Sequence, residues 1–429
     1  MRISLAQEGD EVVFCFLAEE EDIEHLRASK IGMSNTEARI KLGGVNLEDI
    51  HPDLIGLSII LMCHQFVGEK LHFPMDVSNE FLEGSNGVLS KYNIIANSNR
   101  SIGQFEPPRG ARPGLAFSGG ADSTAALAVM PGDTVPVFMN RPMREGSMYD
   151  SDAPLRSCEK LREIGYDVKV IDCDLEFLRE PIGFPSDLAH AIPLILLAGE
   201  VGIDSIAFGT ILESAYGIGH KRFIDYPNGS HKKFYGTLFS SAGLEISLPV
   251  AGVSEVGTAL IIAGSPLGSL AQSCIRGKMD NPCLRCWKCF RKELLTMALF
   301  PSKEVDLRNM MRNSSEVQIR LSAYPISHEN VVNYSIKRIG TKKYPFLRPL
   351  RDRLDKGQDL SLLGHWYSPS KCLIPERNRM SIIEKILKFI PPMNSEHEEF
   401  LENWDMGDFL LSEKTVKSHS DLTSYWQEL

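Results

Sequence analysis

From Gly114 onward the chain alternates short apolar runs with helix-length ones, and this rhythm restricts the fold more than any other feature. LAFS reads as a strand, STAALAVM as a helix, TVPVFMN as a strand and PLRSCEKLREIG as a helix. DVKVIDC continues as a strand, LAHAIPLILLAGEVG as a helix with Pro193 inside it, and SIAFGT as a further strand. Such alternation predicts βαβ units, and therefore an α/β fold with a doubly wound, mostly parallel sheet and helices on both faces. Residues 1–105 begin with the strand-like runs RISLAQ and EVVFCFLA. An apolar helical stretch from Pro52 to Val67 and the strand-like LHFPMDVS follow, which predicts a small N-terminal α/β domain. FEPPRGARP, residues 105–113, reads as a linker because its prolines and glycine interrupt any periodic element. The α/β core then spans 114–300, and 301–429 is a more polar, mainly helical region.

The first strand of this core runs into Ser118-Gly119-Gly120-Ala121-Asp122-Ser123. Consecutive glycines let the backbone turn at positive φ and gather its N–H groups around an anion. A helix opening near Ser123 adds unpaired donors and its positive dipole end. Ser118 and Ser123 offer hydroxyl donors, and Asp122 can help to hold a magnesium ion. The alternative is an ordinary glycine turn with a serine cap. No G-x-x-x-x-G-K-[ST] loop is present.

The nine cysteines are unevenly spread. Cys274, Cys283, Cys286 and Cys289 form S-C-x8-C-x2-C-x2-C, and the other five lie singly, which is unlike a secreted disulfide framework. Two overlapping C-x2-C pairs place three thiolates around one turn, and Cys274 can close a tetrahedron, so the four predict a structural zinc site, with an iron–sulfur cluster as the rival. A reducing compartment suits such a site. The N-terminus has no apolar core of signal-peptide length, and the longest apolar stretch, Leu54–Cys63, is too short to span a bilayer. These features predict a cytoplasmic protein without membrane contact. A formal net charge of −10 argues against a general nucleic-acid coat, while leaving a local basic contact open.

SGGADS matches the SGG-x-D-S signature of the N-type ATP pyrophosphatase, or PP-loop, family. Followed at a distance by S-C-x8-C-x2-C-x2-C, it resembles the 7-cyano-7-deazaguanine synthases over roughly Gly114 to Lys292. The resemblance implies ATP, Mg2+ and Zn2+ as cofactors, and cleavage of ATP between its α and β phosphates. A small carboxylate on a deazapurine-like or other heterocyclic acid would be adenylated, and a nitrogen nucleophile would displace AMP. Ser118, Gly119, Gly120, Ala121, Asp122 and Ser123 would bind ATP. Gly209 and Thr210 would lie near the adenosine and substrate, and Glu213 falls near an acidic position that follows. The four cysteines match the zinc ligands.

The sequence also departs from that family. Where the synthases open a helix with a threonine-lysine pair, this chain reads Gly252-Val253-Ser254-Glu255-Val256-Gly257, so Glu255 stands at the lysine position, where it would repel phosphate. Lys221, in Gly219-His220-Lys221-Arg222, and Arg141 or Arg144 are the candidate replacement cations, which makes Asp122, Ser118, Lys221 and Arg141 the expected catalytic set. Flanking regions absent from the synthases suggest a protein partner or a homodimer. Two other readings stay open: a nucleotide-binding scaffold that has lost turnover, and a related enzyme that modifies a protein or nucleic acid in a defence system.

Overall fold

The computed structural model describes all residues except 98, 100, 144–148, 220, 221, 273, 303, 304 and 356. Strands β1 (Arg2–Glu8), β2 (Glu11–Leu17), β3 (Gly32–Met33), β4 (Glu37–Lys41), β5 (Lys70–His72) and β6 (Asn93–Ile95) precede the glycine-loop region. Strands β7 (Arg112–Phe117), β8 (Val135–Asn140), β9 (Lys169–Asp172), β10 (Arg179–Glu180), β11 (Ile203–Ala207) and β12 (Glu245–Ser247) follow. One sheet runs β4-β2-β1-β5-β6 and mixes antiparallel with parallel pairings. A second runs β12-β11-β7-β8-β9 with each pairing parallel, and β10 pairs antiparallel with β3 in a third, two-stranded sheet. Edge strands β4 and β9 abut: Ile40 bridges Cys173, Asp174 N–H donates to the Arg39 carbonyl at 3.2 Å, and Arg39 N–H donates to Asp174 Oδ1 at 2.7 Å.

The three central parallel strands, β7, β8 and β11, are buried along almost their whole length, as a sheet covered on both faces requires. Side chains alternate between the faces. Leu115 and Phe117 join Ala125, Leu127, Ile261, Ile382 and Ile386 in one core. Ala116, Val135, Val137 and Met139 join Ile195, Phe208 and Phe239 in the other, which extends into the N-terminal sheet through Phe14 and Ile40. A third core packs Trp287, Phe290 and Leu294 beside the cysteines against C-terminal Val332, Leu350 and Trp426. Residues 360–406 return to the parallel sheet, where Leu248 N–H meets the Leu373 carbonyl at 2.9 Å and Tyr367 N–H meets the Gly252 carbonyl at 2.8 Å.

The helix expected around Pro193 is broken into shorter pieces, Ile192–Leu196 and Ala198–Val201. Pro193 sits in a first turn, where its missing N–H costs nothing, and Gly202 ends the second piece at φ 71°. No helix among the described residues is long and apolar enough to cross a membrane.

Candidate active site

The glycine loop leaves the carboxyl end of β7, between β8 on one side and β11 on the other. The connections that leave β7 and β11 run to opposite sides, to β8 and to β12, so a crevice opens between the carboxyl ends of those two strands. Gly119 adopts φ 69°, and a Cβ there would lie 3.1 Å from Pro154 Cα and Cβ, so both conformation and space call for glycine. The helix that follows, Ala121–Val129, opens two residues ahead of the expected Ser123 because Gly120 takes the extended N-cap position. Ser123 Oγ accepts from Ser118 N–H at 3.2 Å, lies 3.0 Å from Ser118 Oγ and donates to the Gly120 carbonyl at 3.2 Å. Ser118 Oγ accepts from Gly120 N–H at 3.3 Å. The two hydroxyls therefore brace the loop from inside. From outside, Gln272 N–H donates to the Gly119 carbonyl at 2.7 Å.

Gly209, just past β11, abuts this loop. A Cβ at Gly209 would stand 2.7 Å from Ser123 N and 2.8 Å from Asp122 C, so only glycine permits the approach. Thr210 follows it, half-buried. Asp122 is also half-buried, and its Oδ1 accepts from Thr258 Oγ1 at 3.3 Å. Thus Ser118, Gly119, Gly120, Ala121, Asp122, Ser123, Gly209 and Thr210 come together.

The candidate cations fare differently. Arg141 lines a cavity of about 370 Å³ with Ser118, Gly120, Phe138, Tyr149 and His190. Its guanidinium, however, donates to Glu176 Oε2 at 2.9 Å and covers the Tyr149 ring at 3.8 Å. Burial pushes the His190 imidazole down to about 4, so it is neutral at physiological pH. Lys221, His220 and Arg144 lie outside the described residues. A second cavity, of about 670 Å³, flanks the loop at Ala121 and is lined by Ile262, Lys288, Lys292 and Thr296. Both cavities include Gln272, Cys274 and Lys288.

Glu255 opens the helix Glu255–Gly264, but its carboxylate does not face an empty pocket. It pairs with Arg291 and Lys292, each at 2.9 Å, and lies 3.6 Å from His328 Nδ1. Burial alone would push its carboxyl up, yet Lys292, Arg291 and His328 outweigh burial and hold it far below the ordinary range. Its backbone N–H donates to Glu213 Oε2 at 3.1 Å, and Asn330 Nδ2 donates to Glu213 Oε1 at 3.0 Å. Burial first, and the Glu255 charge second, push the Glu213 carboxyl up to about 8. The sequence reading missed this ionic cluster. Its available signal was the Arg291-Lys292 pair following Cys289 in the helix Trp287–Leu299, which turns both cations toward Glu255.

The four cysteines converge. Their Sγ atoms all lie within 4.8 Å of one another, with Cys283 and Cys289 sulfurs 3.8 Å apart. A tetrahedral ion with metal–sulfur bonds of about 2.3 Å needs sulfurs about 3.8 Å apart, so the set could hold a metal ion such as zinc. Backbone N–H groups of Cys283, Arg285 and Cys289 point at the sulfurs of Cys274, Cys283 and Cys286 at 3.4, 3.5 and 3.4 Å. Donation from the Cys289 thiol and backbone N–H and from the Cys283 thiol draws the Cys286 thiol down to about 5, while the Cys283 and Cys289 thiols are pushed up.

His64 lies against Tyr92 and Phe234, and burial lowers its imidazole to about 4. Trp366 and Tyr367 are buried in the cores. Among known proteins, no curated protein and no solved structure matches the chain. Residues 234–405, which take in the cysteines, Glu255, Arg291, Lys292 and His328, match the model of a family of unknown function (DUF6395).

Proposed function

We propose that this chain is a PP-loop ATP pyrophosphatase that adenylates a carboxylate, releases pyrophosphate and passes the acyl group to a nitrogen nucleophile, as the 7-cyano-7-deazaguanine synthases do. The observation that carries the reading is the hydroxyl-braced glycine loop at the strand where the parallel sheet changes direction, with a four-cysteine cluster bordering the same crevice. Strand order β12-β11-β7-β8-β9, with cores on both faces, supports a doubly wound sheet. Phosphates would meet the backbone donors around Gly119–Asp122, and Asp122 would share a magnesium ion with them. Zinc suits four thiolates with no open ligand position, so its part would be to fix the chain beside the crevice. It would carry out no step itself.

The scaffold alternative drew on Glu255 as a charge that repels phosphate. Paired with Arg291 and Lys292, Glu255 contributes no free negative charge to the pocket, and that argument loses its ground. The test is AMP and pyrophosphate release from α-labelled ATP with magnesium, with and without 7-carboxy-7-deazaguanine and ammonium. Metal content is measured on the same preparations. Release should need the acid and should fall at least 100-fold in Asp122→Ala, since metal and phosphate positioning are lost together. Tight ATP binding without release under any acceptor would return the scaffold reading.

A further inference from the structure

We infer that Lys288, inside the cysteine knuckle, is the side chain that receives the β and γ phosphates of the nucleotide. This rests on the ATP reading above and adds to it a residue that neither the loop signature nor the four cysteines specify.

Three cations among the described residues line the cavities flanking the loop: Arg141, Lys288 and Lys292. Arg141 is tied to Glu176 at 2.9 Å, and Lys292 to Glu255 at 2.9 Å. Lys288 is exposed and makes no ion pair with any described residue. It is also the cation common to both cavities, one of which includes Ser118 and Gly120 and the other Ala121. Its side chain therefore lines both cavities that flank the loop. Asp280 lines the larger cavity too, and a polyphosphate entering there is favoured by a positive charge that offsets it.

The root of this flexible side chain is fixed. Lys288 lies in the first turn of the helix Trp287–Leu299, whose N-cap is Cys286 and whose next residue along is Cys289. Both flanking cysteines belong to the four-sulfur cluster. The helix start adds its positive dipole end to the ammonium, and both favour an anion. Gln272, which also lines both cavities, clamps the Gly119 carbonyl, so the loop and the knuckle share a wall. With Glu255 standing where the synthases carry lysine, the polyphosphate cation enters from the cysteine segment instead.

The test uses the full-length, metal-loaded chain. Binding of magnesium–ATP, magnesium–pyrophosphate and AMP is measured by equilibrium dialysis for wild type, Lys288→Ala and Lys288→Arg, with metal per chain determined in parallel. Loss of one charged hydrogen-bonding partner should weaken ATP and pyrophosphate about 10- to 100-fold. AMP affinity and metal content should stay unchanged, and Lys288→Arg should recover part of the loss. Wild-type affinity for pyrophosphate in Lys288→Ala overturns the inference and leaves the ATP reading standing. Equal weakening of AMP, or loss of metal, overturns it as well, because Lys288 would then be structural. A wild-type chain that binds neither ATP nor pyrophosphate removes the ATP reading, and this inference with it.

Discussion

Read from the sequence, Glu255→Lys should restore a missing phosphate ligand; read from the structure, it should unfold the site. Glu255 is 1% exposed, and its partners Arg291 and Lys292 are 8% and 18% exposed. Removing one member of a buried ion pair leaves an uncompensated charge and costs about 3–5 kcal/mol. Glu255→Gln keeps the shape and some hydrogen bonding, so it should fall near the lower end, about 3 kcal/mol. Glu255→Lys adds a third ammonium or guanidinium within contact distance of two others. At an effective dielectric of about 20, each such repulsion at about 4 Å adds about 4 kcal/mol before relaxation. The total reaches the whole stability of an ordinary domain, about 5–15 kcal/mol. Thermal melts with solubility and pyrophosphate affinity provide the assay. Glu255→Gln should melt several degrees lower, and Glu255→Lys should be insoluble or lack a cooperative transition. A Glu255→Lys protein that melts like wild type and binds pyrophosphate more tightly would refute the reasoning, because Glu255 would then be holding no cations.

Two further outcomes are expected. Gly209→Ala drives a Cβ to 2.7 Å from Ser123 N, a backbone atom that cannot swing away; it should cost about 1–3 kcal/mol in a melt and, by displacing the loop, lower ATP affinity or turnover about 100-fold. Glu213, whose carboxyl burial raises to about 8, binds its proton more tightly folded than unfolded, so its contribution is complete below the ordinary carboxylate range and is lost as pH rises toward 8. Melts from pH 5 to 9 should therefore show a decline that Glu213→Gln flattens, and an unchanged slope in that variant would contradict the assignment.

The parts of the site legible in sequence are those written into consecutive residues. SGGADS needs only its own glycines, serines and the strand before it, and the cysteines declare themselves by spacing. The ionic cluster is different in kind: Glu213, Glu255, Arg291, Lys292, His328 and Asn330 come from four separate segments, and no local pattern joins them. Hence the loss of a lysine at Glu255 could be seen, but not the cations that neutralise it. Arg141 looked available for the same reason, since Glu176 lies on a distant segment beyond β9. The abutting of β4 on β9 was equally hidden, because strand neighbours are chosen by tertiary packing and not by the strands' own composition.

These contacts also tie the cysteine cluster to the glycine loop. Gly119 is held by Gln272, two residues ahead of Cys274. From Cys274 the sulfurs lead to Cys289, and the helix beyond Cys289 carries Arg291 and Lys292 to Glu255. Glu255 opens the helix on which Thr258 donates to Asp122. The path begins and ends on the same loop, at Gly119 and at Asp122. An ion held by the four sulfurs would therefore brace both sides of the glycine turn, and under the proposed ATP chemistry a loop whose backbone donors are to meet an anion with no reorganisation would gain most from such bracing.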